Sequence, residues 1–231
     1  MVDFSDFKNL TMKYLFLVLS LISLNAYSQY ALTPFAEVQG TQLREIKYED
    51  VTGSPYLFDY WVKGKVTTKS GKHYADMPLK YNVMDDKLIF KNENGNLMYF
   101  AEPVTAFELL NPDLNISDKY INGLPAVDHF NNASYFEVIF SGPTSLFKKT
   151  NKKIVESKQY GSAVTNKTFN TTNGYFILKD GNFAKITPTK KTILALFPSK
   201  EQELNEYLKK EKFDLKNDSD LKKLFEYLNK I

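Results

Sequence analysis

From Tyr56 to Ile186 apolar and polar side chains repeatedly trade places at every second residue. Val62, Gly64, Val66 and Thr68 fall on one side of such a run, with Lys63, Lys65 and Thr67 on the other, as in a half-buried strand. Ser70-Gly71 then marks a hairpin turn, and Leu79, Tyr81 and Val83 alternate with Lys80 and Asn82 in the strand that returns. Asp85-Asp86 turns into Leu88-Ile89-Phe90, and Asn94-Gly95 turns into Leu97 to Phe100. Val104 to Leu110 extends the same sheet. The pattern breaks between Asn111 and Ala133, where Pro112, Gly123, Pro125 and several Asn and Asp predict a long loop. It resumes at Tyr135 to Phe140, Ser145 to Thr150 and Ile154 to Glu156. Ser157 to Thr172 is polar throughout and reads as a turn or flexible loop. Asn173-Gly174 precedes a strand from Tyr175 to Leu178, and Asp180-Gly181 leads into Phe183 to Ile186.

The period changes after Ile186. Thr187 is the expected N-cap of a helix with Pro188 at its first position, Ile193, Leu194 and Phe197 as its apolar stripe, and Pro198 as its stop. Ser199 and Gln202 have capping-box spacing ahead of Leu204, Tyr207 and Leu208. Asn217 or Asp218 caps a third helix, with Leu221, Leu224, Phe225 and Leu228 on one face. Such short helices do not stand alone in water. The expected fold is α+β: an antiparallel β-sheet built of hairpins over residues 29–186, with a C-terminal cluster of short amphipathic helices over 187–231 packed on it.

The N-terminus reads as an address. Met12-Lys13 precedes an uncharged apolar run from Tyr14 to Leu24, and Ala26 and Ser28 form a small-x-small exit. This is the layout of a secretory signal peptide over residues 1–28, with Met12 as an alternative start because Asp3 and Asp6 are unusual ahead of such a run. The run falls short of the ~20 residues a spanning helix needs, so no integral span is expected after cleavage. The chain has no cysteine, which excludes lipoprotein anchoring, disulfides, Cys-ligated metals and thiol nucleophiles. The expectation is an exported chain, periplasmic or extracellular, with no cofactor.

Charge sharpens the layout. The net charge of +3 hides fifteen acidic against ten basic residues over 29–140, and eight basic against two acidic over 141–186. In the basic stretch Lys148, Lys149, Lys152 and Lys153 lie near Phe147, Tyr160 and Phe169, a composition that suits an anionic envelope component or a protein partner. The alternative is a solvated hairpin whose lysines guard an edge strand. Nucleic acid is not an expected partner of an exported chain. Tyr56, Phe58, Tyr60 and Trp61 form an aromatic cluster in which Tyr60 and Trp61 are candidates for a binding surface.

Catalytic chemistry finds little to work with. The only histidines are His73, beside a hairpin turn, and His129, next to Asp128 in the long loop, and there is no nucleophile elbow. Carboxylates could hydrolyse a glycan, with Glu137 or the Asp128-His129 pair as first suspects and Asp76, Asp85, Asp86, Glu93 and Glu102 as further candidates, although strand alternation puts Glu137 on a solvent face. Asn92-Glu93-Asn94-Gly95-Asn96 lacks the carboxylates of a calcium loop and reads as a hairpin tip.

Several segments stand in a familiar order: Gly53-Ser54-Pro55-Tyr56, Trp61 with Gly64, Leu79-Lys80-Tyr81-Asn82, Tyr135-Phe136-Glu137-Val138 and Gly142. Leu146-Phe147-Lys148-Lys149, Tyr175 to Gly181, Lys190-Lys191 with Leu194 and Phe197, and Tyr227-Leu228-Asn229 follow. With these the chain resembles a group of uncharacterised secreted proteins of Bacteroidota. The resemblance implies an exported envelope or extracellular protein with antiparallel strands, and it implies no activity and no catalytic residues. Binding of a partner protein or envelope component is therefore the expected function, with carboxylate-dependent hydrolysis as the alternative.

Overall fold

A computed structural model of the chain describes residues 32–44, 48–111, 116–158, 160 and 165–230. The signal segment expected over residues 1–28 lies outside the described residues. Among the described residues no helix is long and apolar enough to cross a membrane.

Twelve strands form one sheet. In chain order they are β1 (Gly40–Gln42), β2 (Val51–Thr52), β3 (Val62–Thr68), β4 (His73–Asn82), β5 (Lys87–Lys91) and β6 (Leu97–Phe100). There follow β7 (Val104–Asn111), β8 (Ile116–Ile121), β9 (Phe136–Phe140), β10 (Thr144–Lys158), β11 (Thr165–Lys179) and β12 (Asn182–Ile186). Their spatial order is β1-β6-β5-β4-β3-β7-β8-β9-β10-β11-β12, all antiparallel, and β2 pairs in parallel with the far end of β11. Three short helices close the chain: α1 (Lys190–Leu196), α2 (Glu201–Glu211) and α3 (Asp218–Leu228). The molecule is thus mostly β, with antiparallel hairpins and three C-terminal helices.

Local chemistry explains most of these elements. In β3 the buried residues Val62, Gly64, Val66 and Thr68 alternate with more exposed neighbours, as the period of two predicts. Gly64 is required there by space, because a Cβ would sit 2.3 Å from the Glu108 carbonyl oxygen and 2.4 Å from Leu79 Cδ1. Asp180 and Gly181 both take positive φ, 50° and 76°, in the two-residue turn between β11 and β12, which matches the twist of the flanking strands. The Asn92 side chain accepts hydrogen bonds from the Asn94 and Asn96 amides at 3.1 and 2.9 Å, closing the tip between β5 and β6.

The sheet curls strongly. Five strand-to-strand steps separate β4 from β10, about 24 Å in a flat sheet. Yet Tyr81 on β4 and Lys149 on β10 meet at 3.1 Å, far closer than two side chains could bring them across a flat sheet. One core fills the curl with Val66, Met77, Leu79, Tyr81, Phe90, Phe107, Leu109 and Tyr120. A second gathers Phe136, Phe147, Phe176 and Phe183, with Phe136 edge-on to Phe176 and Phe183, Phe147 edge-on to Phe183, and Phe176 stacked on Phe183. The third lies where β9, β10 and β11 present Ile139, Leu146 and Ile177 to the helices, whose Ile193, Leu204, Leu221, Leu224, Phe225 and Leu228 are buried there.

Several expectations are corrected. Thr165 to Thr172 is not a loop but the first half of β11, which pairs with β10 from Lys158↔Thr165 to Thr144↔Lys179. Asn173-Gly174 continues that strand rather than turning. The long loop expected over Asn111 to Ala133 contains β8. Thr189, not Thr187, caps α1, accepting from the Thr192 amide. Ser199 belongs to a 3-10 turn, Pro198–Lys200, and α2 starts without a side-chain cap. Asn217 does cap α3, accepting from the amides of Ser219 and Asp220 at 2.9 and 3.2 Å.

Candidate functional site

The four lysines of the basic stretch occupy four different environments. All lie on β10, where successive side chains point to opposite faces. Lys149 is buried, at 4% of its full exposure. Its Nζ lies 2.7 Å from Asp86 Oδ1, 2.8 Å from the Tyr135 carbonyl and 3.1 Å from Tyr81 Oη. An ammonium has three N–H donors, and these three acceptors match them. Tyr81 in turn donates to Asp86. Burial holds the Tyr81 hydroxyl pKa well above its usual value and Asp86 adds to the effect, so the hydroxyl stays protonated and able to donate. Burial lowers the Lys149 pKa, with Asp86 opposing the shift.

Lys148 faces the helices. Its Nζ is 2.5 Å from Asp218 Oδ2 on α3 and 3.8 Å from Glu137 Oε2 on β9. Tyr175 on β11 donates to the other Asp218 oxygen at 2.7 Å. Burial works against the Lys148 charge, but Glu137 and Asp218 outweigh it and keep its pKa raised. Glu137 is itself largely buried, its side chain at 14% of full exposure. Burial pushes its pKa up to about 7, opposed by Lys148 and reinforced by Asp118 and Asp218. The solvent-facing position expected for Glu137 is thus overturned, because α3 covers that side of β9.

Lys148 and Lys149 are therefore internal ion-pair partners and not part of an anion-binding surface. Lys152 donates to the Tyr56 carbonyl and is partly buried, which lowers its pKa against the pull of Asp59. Only Lys153 of the four is exposed. Tyr60 is 43% exposed and stacks on Phe58 at 5.6 Å. Trp61 is half-buried, with Lys91 Nζ 4.7 Å and Lys80 Nζ 5.7 Å from its ring.

Beyond Lys152 the β10–β11 hairpin becomes an arm. Lys153 to Lys158 are all exposed, as are most residues from Thr165 to Asn173. Ile154 and Val155 are 37% and 36% exposed. β9 pairs with β10 only between Leu146 and Lys148, so among the described residues no strand covers the β10 edge past that point. On the other side of the arm, β2 bonds to Lys167 and Thr168, and Tyr48 packs on Phe169 at 5.2 Å. Lys167 pairs with Glu156 at 3.5 Å.

The remaining chemistry is sparse. Asp128 pairs with Lys185 at 2.9 Å, while His129 lies exposed against Phe130. His73 Nδ1 is 3.0 Å from Thr67 Oγ1. The Asn82 side chain bonds the Met84 and Asp85 amides and the Asp85 carboxylate, so Asp85-Asp86 is a turn as expected. Among the described residues no cluster of His, Asp and Glu could hold a metal. One recess, of about 180 Å³, is lined by Phe35, Ala36, Val38, Phe90 and Asn92 to Asn94. Neither it nor two smaller ones touch Glu137, Lys148 or Asp218. The chain matches no known family model, no curated protein and no solved structure.

Proposed function

We propose that this chain is an exported, non-enzymatic protein that binds a protein partner, and that the β10–β11 arm is its recognition element. The observation that carries the reading is the arm itself: an exposed, extended hairpin with outward Ile154 and Val155 among Lys153 and Lys158. Scattered exposed apolar residues need no explanation, but an uncovered strand edge bearing them is one that proteins otherwise shield. Export is supported by the N-terminal apolar run and its small-x-small exit. The reading also treats residues 187–231 as a helical subdomain on a β domain, an α+β chain, and keeps the likeness to secreted proteins of Bacteroidota.

A photo-crosslinking residue at position 155, in cells that make the protein, tests the arm. The expected result is a covalent adduct with one defined protein, absent when the same residue replaces the exposed Lys209 on α2. Adducts at both positions, or none at 155, would refute the arm as recognition element. Intact mass of the exported chain tests export; a sequence starting at Gln29 is expected, and one starting at Met1 or Met12 would overturn it.

Carboxylate hydrolysis is the second reading, favoured by Glu137 with its raised pKa near Asp218. Against it, Lys148 sits between the two carboxylates and no described recess opens on them. Loss of a glycan-cleaving activity in Glu137→Gln, with folding intact, would establish that reading over the first.

A further inference from the structure

Resting on the arm as recognition element, we infer that the β10 edge from Lys152 to Lys158 binds an extended acidic segment of the partner protein by strand addition. Four observations carry this. First, the edge is already extended, with seven ladder pairs to β11 from Lys152↔Thr171 to Lys158↔Thr165, so the receiving strand needs little ordering on binding. Second, the arm already recruits a strand from elsewhere in the chain: β2 adds to its opposite edge. Third, no strand among the described residues covers the β10 edge beyond Lys148.

Fourth, the charge selects the occupant. Glu156 is the only acidic residue from Lys152 to Lys158, and Lys167 of the neighbouring strand pairs with it. The exposed Lys153 and Lys158 leave the edge positive, while Lys152, at its inner end, donates to the Tyr56 carbonyl. A second copy would bring the same positive edge against it, so self-pairing is disfavoured by like charge. In an incoming strand, alternate side chains meet the two faces of β10. Lys152, Ile154, Glu156 and Lys158 share one face, and Lys153, Val155 and Ser157 the other. Acidic residues opposite the lysines and β-branched residues opposite Ile154 and Val155 complement both faces.

A capped peptide Glu-Thr-Thr-Ile-Val-Glu-Glu-Ser, antiparallel to Lys158 through Asn151, is the probe. Titration calorimetry should show it binding the whole chain at least about tenfold tighter than the same peptide with Lys in place of each Glu. A strand that adds to an edge bonds through every second N–H. Two N-methylated probes, blocked at odd or at even positions, separate strand addition from charge attraction; one of them should lose binding. The exposed pair Lys153→Glu and Lys158→Glu should reverse the preference between the acidic and basic peptides, with the unfolding midpoint unchanged. Equal binding of both N-methylated probes, or no binding of the acidic probe, would overturn strand addition and leave the arm's crosslinked partner standing. Loss of the crosslink at position 155 would instead remove the reading on which the inference rests.

Discussion

Replacing Lys149 with Met tests whether the curl of the sheet is tied by a buried ion pair. The substitution keeps a long flexible side chain and deletes the ammonium. It leaves the Tyr135 carbonyl without the donor now 2.8 Å away, and Asp86 without the charge now 2.7 Å away. Removing one member of a buried pair costs about 3–5 kcal/mol. Asp86 is a quarter exposed and keeps the Tyr81 donor, so the lower end, about 3 kcal/mol, is expected. Adding Asp86→Asn removes the unmatched charge while keeping an acceptor for Tyr81. The double variant should then recover about 1–2 kcal/mol of the loss, the Tyr135 carbonyl still costing ~1 kcal/mol or more. Urea unfolding at pH 7 of the wild type, both single variants and the double variant measures the coupling. With a slope of about 2–3 kcal/mol per molar urea, the single Met variant should unfold at a midpoint lowered by roughly 1 M. Strictly additive effects of the two substitutions, or an unmoved midpoint in Lys149→Met, would show that the pair does not hold β4 to β10.

Three further outcomes are expected. Glu137 has a folded-state pKa of about 7 against roughly 4.3 for an unperturbed glutamate, so the folded chain carries an extra proton between those values. Stability should fall as pH rises through that window and level off above it, by roughly 4 kcal/mol in all; the difference between wild type and Glu137→Gln, from urea midpoints at pH 4.5 and pH 8, should show about 3 kcal/mol of this change, and a constant difference would contradict it. The Asn229 side chain accepts from the Thr144 amide at 2.8 Å and donates to the Thr144 carbonyl at 3.0 Å, so Asn229→Ala should cost about 2–3 kcal/mol; thermal unfolding at the wild-type temperature would argue against the pin. Gly64→Ala drives a methyl into the Glu108 carbonyl and Leu79 and should cost about 3 kcal/mol, read as a lowered urea midpoint, with no loss counting against the close approach of β3 to β7.

Much of the sheet is legible in the sequence because each hairpin is local. Val62 to Thr68 alternates cleanly because one face meets the core and the other meets water, and Asp180-Gly181 announces its turn through the backbone angles it permits. The helices announce their faces at Leu221, Leu224, Phe225 and Leu228. β11 is hidden for the opposite reason. Thr165 to Thr172 stands largely in solvent, so no apolar alternation is imposed on it, and only its threonines hint at a strand. The fate of the lysines is hidden by distance along the chain. Nothing near Lys148 or Lys149 in sequence identifies Asp218 or Asp86 as its partner. A lysine on an alternating strand looks solvated until the chain covering that face is known. Lys148 to Lys153 therefore read as a single basic patch, whereas removing all four charges would break three internal ion pairs as well as alter a surface.

The pairing of β2 with β11 has a consequence for the order of assembly. Val51 and Thr52 bond to Lys167 and Thr168, more than a hundred residues further along. The first six strands, apart from β2, can pair among themselves as soon as they are made. β2 must wait for the arm, and the curl must wait for Lys149 to reach Tyr81. Closing loops of that length before any contact rewards them slows folding. The Tyr48 to Thr52 segment thus joins the ladder late, and a chain interrupted before β11 would present that segment and the unclosed face of β4 to whatever lies nearby.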